Sequence, residues 1–236
     1  MQARAFRRLI FHPSHLSLPG TANLEKHMMK RRTFAALSLA TSLAMTLAAC
    51  AGMPGTSGPG WQSLIDGDKG LANFNVVGDA NWRAEGGMIV ADKGKGGFLV
   101  TKQAYGDFML VAEFWAETNT NSGIFMRAQD PAKIGADTSY EVNIWDIRPD
   151  PKFGTGGIVD FAPVPVPITN KAGGRWNTYE IEARGPDMTV KLNGQVTVTL
   201  YNGRHASGPF ALQYGPGVQG AQGGQIKWRK VMIKPL

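Results

Sequence analysis

The chain has 236 residues, 43% of them hydrophobic and 18% charged, with a single cysteine and a formal net charge of +7. Seven of its 25 basic residues and one of its 18 acidic residues fall in residues 1–49, so the rest carries 18 against 17, a net of +1. The excess of positive charge thus belongs to the first 49 residues and is no evidence for nucleic-acid binding, and one cysteine excludes an intrachain disulfide, so the fold must rest on its hydrophobic core.

Residues 1–27 hold Pro13, Pro19, Gly20 and scattered arginines without periodicity. They read as a misassigned start, upstream of Met28 or Met29, or as a disordered extension. Lys30-Arg31-Arg32 then precedes an apolar run from Phe34 to Leu47, which ends in Leu47-Ala48-Ala49-Cys50. A basic region, an apolar stretch and small residues before a cut describe a secretory signal over residues 28–49. The run is shorter than the roughly 20 residues a spanning helix needs. Its end resembles the lipobox of bacterial lipoproteins, which implies that Cys50 becomes a lipidated N-terminus. Ala51 after it implies the outer membrane, with the protein facing the periplasm. Arg31-Arg32-Thr33-Phe34 also resembles the core of a twin-arginine signal, leaving two export routes open. Residues 50–60 are a flexible tether rich in Gly and Pro, and residues 61–236 suffice for one domain.

Within that domain, short alternating segments recur between Gly and Pro, the pattern of an all-β sandwich or barrel. Residues 81–85 and 88–91 form a hairpin across Gly86-Gly87. Strands follow at 97–102, 107–116, 123–128, 140–146 and 176–184. A second hairpin joins 187–193 to 195–200 around Asn193-Gly194, a type I′ signal. Strands at 208–214 and 225–233 close the domain. Residues 150–174, with Pro163-Val164-Pro165-Val166-Pro167, read as a long ordered loop over one rim, a place where function concentrates.

The polar faces of these strands carry an uncommon mixture. Arg127, Glu141, Asn143, Trp145, Trp176 and Glu180 are expected to converge on one wall, where planar rings, amides and carboxylates suit a sugar's C–H faces and hydroxyl edges. Glu141 shares its face with Asn143 and Trp145. A wall holding tryptophans would raise its carboxyl by desolvation, making it the first candidate for a base or acid. The alternative is a structural carboxylate paired with Arg127. Glu113, inward on a long strand, needs a partner or a role. Arg127 either stabilises developing negative charge or bridges the sheet. Trp145 and Trp176 either stack on sugar or fill the core. Asp146 and Asp160 border the long loop as candidate acids or cation ligands, and His205 reads as a solvent-facing loop histidine. With no His pair and no Cys cluster, no zinc site is expected.

In order and spacing, the blocks Trp61-Gln62-Ser63-Leu64-Ile65-Asp66-Gly67, Asn81-Trp82-Arg83-Ala84-Glu85-Gly86-Gly87, Asn121-Ser122-Gly123-Ile124-Phe125-Met126-Arg127, Tyr140-Glu141-Val142, Trp176-Asn177-Thr178-Tyr179-Glu180 and Leu192-Asn193-Gly194 resemble the 3-keto-disaccharide hydrolase domain family. The resemblance implies a concanavalin A-like, lectin-like jelly roll and action on sugars oxidised to a ketone at C3. Such a ketone acidifies the proton at C2; a base removes it, the C1 substituent leaves, and water adds back. Direct hydrolysis by two carboxylates is the alternative. The resemblance places Gln213 as a substrate-binding amide on a sheet face. It implies a carbohydrate substrate, while a calcium ion follows only by analogy with lectin-like sandwiches. The chain departs from the family at Asn143, where Gln is common, and at Tyr214-Gly215, where Asp-His is common. Those departures keep a non-catalytic carbohydrate-binding module open as the alternative function.

Overall fold

A computed structural model describes Thr56 and residues 58–236. The expected start region, signal segment, Cys50 and most of the tether lie outside the described residues. Thirteen strands follow in chain order: β1 (Gln62–Asp66), β2 (Phe74–Gly78), β3 (Arg83–Glu85), β4 (Met88–Ala91), β5 (Gly97–Thr101), β6 (Phe108–Ala116), β7 (Ser122–Met126), β8 (Tyr140–Ile144), β9 (Arg175–Arg184), β10 (Asp187–Leu192), β11 (Gln195–Tyr201), β12 (Ala211–Tyr214) and β13 (Ile226–Pro235). No helix among the described residues is long and apolar enough to cross a membrane.

The strands form two antiparallel sheets. The front sheet has the order β2-β5-β12-β7-β8, and the back sheet runs β11-β10-β9-β6-β13-β4-β3 with β1 beside β13. This is a sandwich, one of the two forms the alternation allows, and of the jelly-roll type that the family resemblance implies. Side chains at every second position meet between the sheets. From the back come Phe108, Leu110, Ala112 and Phe114, and from the front Tyr140, Val142 and Ile144. Phe114 stacks on Tyr179 at 5.1 Å and tilts against Trp228 at 5.6 Å. Each such fully buried ring stabilises the fold by roughly 1.5–3 kcal/mol.

Local sequence fixes the hairpins. Asn193 and Gly194 both adopt positive φ, 52° and 80°, as a type I′ turn requires. Two strands were not expected. β1 has only two adjacent apolar residues and a bulge between Ser63 and Ile65, while β2 is interrupted by Asn75. Pairing with β13 and β5 makes both extended, and neither partner is visible from local pattern. β7 stops at Met126 rather than residue 128, because Arg127 turns to φ 53°.

The long loop does more than cover a rim. Asn143 donates its backbone N–H to the Gly157 carbonyl, Gly156 donates to the Asn143 carbonyl, and Val159 donates to the Glu141 carbonyl, each at 3.0 Å. The outer edge of β8 is thereby paired instead of bare. This explains why all five residues of β8 are buried.

Candidate functional site

Period-two alternation turns Glu141 and Asn143 away from the core, onto the outer face of the front sheet. The register extends that face across all five strands. Glu141 pairs with Phe125, and Asn143 pairs with Gly123. Gln213 of β12 pairs with Phe98 of β5, which pairs with Val77 of β2. The β12–β7 register, Ala211 with Phe125 and Leu212 with Ile124, continues to Gln213 beside Gly123. Glu141, Asn143 and Gln213 thus surround one glycine.

Gly123 makes the space. A Cβ there would lie 3.3 Å from Glu141 Cγ and 3.4 Å from Glu141 Oε1, so the carboxyl arm lies over the bare backbone of β7. Glu141 is 7% exposed, and its side chain makes no hydrogen bond among the described residues. Burial pushes its carboxyl from 4.5 up to about 7; the Arg148 guanidinium opposes that shift and the Asp160 carboxylate reinforces it. Asp160 is exposed, at φ 64°, directly after the residue that holds the Glu141 carbonyl.

After β8 the chain turns, with the Arg148 N–H donating to the Trp145 carbonyl at 3.4 Å. This brings the Arg148 guanidinium 5.6 Å over the Trp145 ring. Among the described residues, eight buried side-chain polar atoms have no protein partner. Four belong to this neighbourhood: Asn143 Oδ1, Trp145 Nε1, Arg148 Nε and Gln213 Oε1. An orphaned buried polar atom costs about 1–3 kcal/mol, so four in the neighbourhood of one raised carboxyl single out this part of the face. Tyr179 braces β8 from behind, donating its hydroxyl to the Asn143 carbonyl at 2.6 Å across the sandwich.

The structure separates the other expected residues from this group. Arg127 is 1% exposed. Its guanidinium donates to the carbonyls of Gly106 at 2.9 Å, Gly185 at 2.7 Å and His205 at 3.1 Å, and meets Asp107 at 3.3 Å. It latches loops together, and Glu141 has no ion pair with it. Glu113 and Trp176 lie on the outer face of the back sheet. Arg229 engages Glu113 and sits 4.1 Å over the Trp176 ring. Glu180 lies on that same face, paired in register with Val111. The single wall is therefore two walls on opposite sheets.

Asp146 stays at the loop's base with both oxygens occupied. Oδ1 accepts from the Thr155 hydroxyl at 2.6 Å, and Oδ2 accepts from the Gly173 N–H at 2.8 Å. It fastens the loop and leaves no oxygen free for substrate. His205, expected to face solvent, is instead buried beside Tyr140, because its segment is held by the Arg127 latch. Tyr214 points into the core, its hydroxyl donating to the Gly223 carbonyl. No group of three or more His, Cys, Asp or Glu gathers among the described residues, so the calcium suggested by analogy finds no such donor set there.

Sequence reading missed Arg148 and Gly123. Arg148 is the only arginine between Arg127 and Arg175, and a glycine inside a strand pattern signals close approach. Those were the available signs.

A family model described as a 3-keto-alpha-glucoside-1,2-lyase-like domain matches residues 60–234. Two solved proteins from Parabacteroides distasonis ATCC 8503, each named “putative glycosyl hydrolase”, share the fold. One is 18% identical with a TM-score of 0.62, over 75% of this chain and 94% of its own. The other is 22% identical with a TM-score of 0.59, over 75% and 99%. The VIP36 exoplasmic/lumenal domain, solved in a Ca2+/Man-bound form, is 8% identical with a TM-score of 0.51, over 74% and 89%. No curated protein matches the chain.

Proposed function

The chain belongs to the 3-keto-alpha-glucoside-1,2-lyase-like domain family, and from that premise we propose that the face around Glu141 cleaves glycosides already oxidised to a ketone at C3. The observation that carries the proposal is Glu141 itself, a buried carboxyl without a hydrogen-bond partner, raised to about 7 and set beside Arg148. A group with that value is partly charged at neutral pH, so it can take a proton and return it.

In this reading Glu141 takes the proton from C2, and the electron pair moves onto the C3 oxygen as an enolate. Arg148 supplies the charge that stabilises it. Collapse of the enolate expels the C1 substituent and leaves a C1=C2 bond conjugated with the C3 ketone. The proton held by Glu141 passes to the departing oxygen. Gln213 lies against the ring and Trp145 walls the sugar, while Asn143, fully buried with its amide donating to the Phe153 carbonyl at 2.6 Å, holds the loop beneath them. The test is incubation with a 3-keto-disaccharide and its unoxidised parent, with chromatography of the products. Release from the keto sugar alone, lost in Glu141→Gln, supports the reading; cleavage of both sugars, or full activity in the mutant, sinks it.

One observation favours a second reading. Gly215 stands where the family commonly has His, and Tyr214 before it is turned into the core, so no imidazole follows Gln213. A carbohydrate-binding module without catalysis would bind the keto sugar and release nothing.

We further propose that the protein is held at the outer membrane, facing the periplasm, by a lipid on Cys50 after removal of residues 28–49. Labelling with a radioactive fatty acid tests this, and label retained in Cys50→Ala argues against it.

A further inference from the structure

The outer face of the front sheet is divided. Around Gly123 it is polar, with Glu141, Asn143 and Gln213. Towards β2 and β5 it is apolar. Val100, Phe125 and Ala211 form a small buried cluster on this outer face, separate from the main core, with Val77, Phe98 and Ile134 packed half-buried against it. Phe98 meets Phe125 edge to face, with ring centroids 5.2 Å apart at 88°.

Two rungs of the sheet join the halves. One runs Val77, Phe98, Gln213, Gly123, Asn143, and the other runs Val100, Ala211, Phe125, Glu141. Phe98 stands two strands from the glycine that carries the Glu141 arm, a separation of roughly 10 Å at ordinary strand spacing. A sugar ring bound over Glu141 and Gln213 with C1 on the β5 side would place its C1 substituent against Phe98 and Val77.

That surface suits one class of substituent. A second sugar laid there would lose water from its hydroxyls, at about 1–3 kcal/mol for each one left unpaired. The cluster contains no donor or acceptor side chain; Asn75 lies beyond it at the exposed margin of β2. We infer that Val77, Phe98 and the Phe125 floor form a leaving-group subsite for an apolar aglycone, an aryl or alkyl group on C1, in place of a second sugar. The inference rests on the lyase reading for the sugar bound over Glu141, and on the register and the cluster for the chemistry beside it.

The test compares kcat/KM for 4-nitrophenyl 3-keto-glucoside and a 3-keto-disaccharide, in the full chain and in Phe98→Asn and Val77→Thr. The second variant is nearly isosteric and half-buried, so it retains the fold. Nitrophenolate leaves more readily than a sugar alkoxide whatever lines the site, so the ratio is read against wild type, and each variant should reduce it at least about threefold, within the scale of one apolar contact. Preference for the disaccharide, or a ratio unchanged in both variants, overturns the subsite while leaving the lyase reading intact. If neither substrate is cleaved, the lyase reading fails, and binding by tryptophan fluorescence decides the subsite. Tighter binding of the aryl glycoside, weakened in Val77→Thr, sustains it; equal binding of the two overturns it.

Discussion

The Glu141 carboxyl arm lies over Gly123, and no residue with a Cβ fits beneath it without displacement. A methyl at residue 123 would come within 3.3 Å of Glu141 Cγ and 3.1 Å of the Val142 carbonyl oxygen. The arm must then lift by a few tenths of an ångström. Gly123→Ala is expected to leave the thermal midpoint within a few degrees of wild type. Turnover of a 3-keto-glycoside should fall about tenfold or more, since misplacement of a reacting group by 1 Å costs roughly a hundredfold. Melting curves and initial rates on the same preparation check it.

Glu141 also links stability to pH. Its folded value, about 7, lies above its ordinary 4.5. Between those values the folded protein holds a proton that the unfolded chain releases. The group's favourable contribution is therefore complete below about pH 4.5 and declines as pH rises to about 7, by roughly 3 kcal/mol in all. Glu141→Gln removes the titration. The stability difference between mutant and wild type, read by urea unfolding from pH 5 to 8, should grow in the mutant's favour and level off above pH 7. His205, which burial lowers, titrates in both proteins and cancels in the difference.

Arg127 should matter to stability alone. Arg127→Met leaves the carbonyls of Gly106, Gly185 and His205 without their donor. A loss of about 3–5 kcal/mol is expected, as for other buried charged networks cut on one side. For protein that remains folded at low temperature, kcat should stay near wild type. A selective loss of kcat would return Arg127 to the site.

On the back sheet, Glu113→Gln and Trp176→Phe should both be mild. The Arg229 pair is partly exposed, and Arg229 over the Trp176 ring adds on the order of 0.5–1 kcal/mol. Denaturant midpoints should move little and turnover should not change. A large fall in activity from either would show that chemistry occurs on the other sheet.

Much of the site was legible because it lies on one strand. Glu141 and Asn143 sit two apart on β8, and alternation alone puts them on one face, with Trp145 just past the strand's end. Glu180 and Trp176 show the same spacing on β9, with no local feature to tell the two faces apart. The difference lies in pairing: β9 joins β6 in the back sheet, while β8 joins β7 in the front one. Arg127 was misplaced for another reason. Its positive φ ends β7 early and swings its side chain out of the strand's alternation.

By itself the sequence determined most of the strands, the Asn193-Gly194 turn, the all-β class and the alternation that sets Glu141 beside Asn143. These depend on side-chain alternation and on backbone freedom at single residues, which are local properties. Tertiary structure alone decided which polar faces belong together, that Gly123 leaves room for a carboxyl, and that Arg148 arrives beside it from a turn. Those are consequences of register between strands far apart in the chain, set by burial of a shared core that no short segment contains.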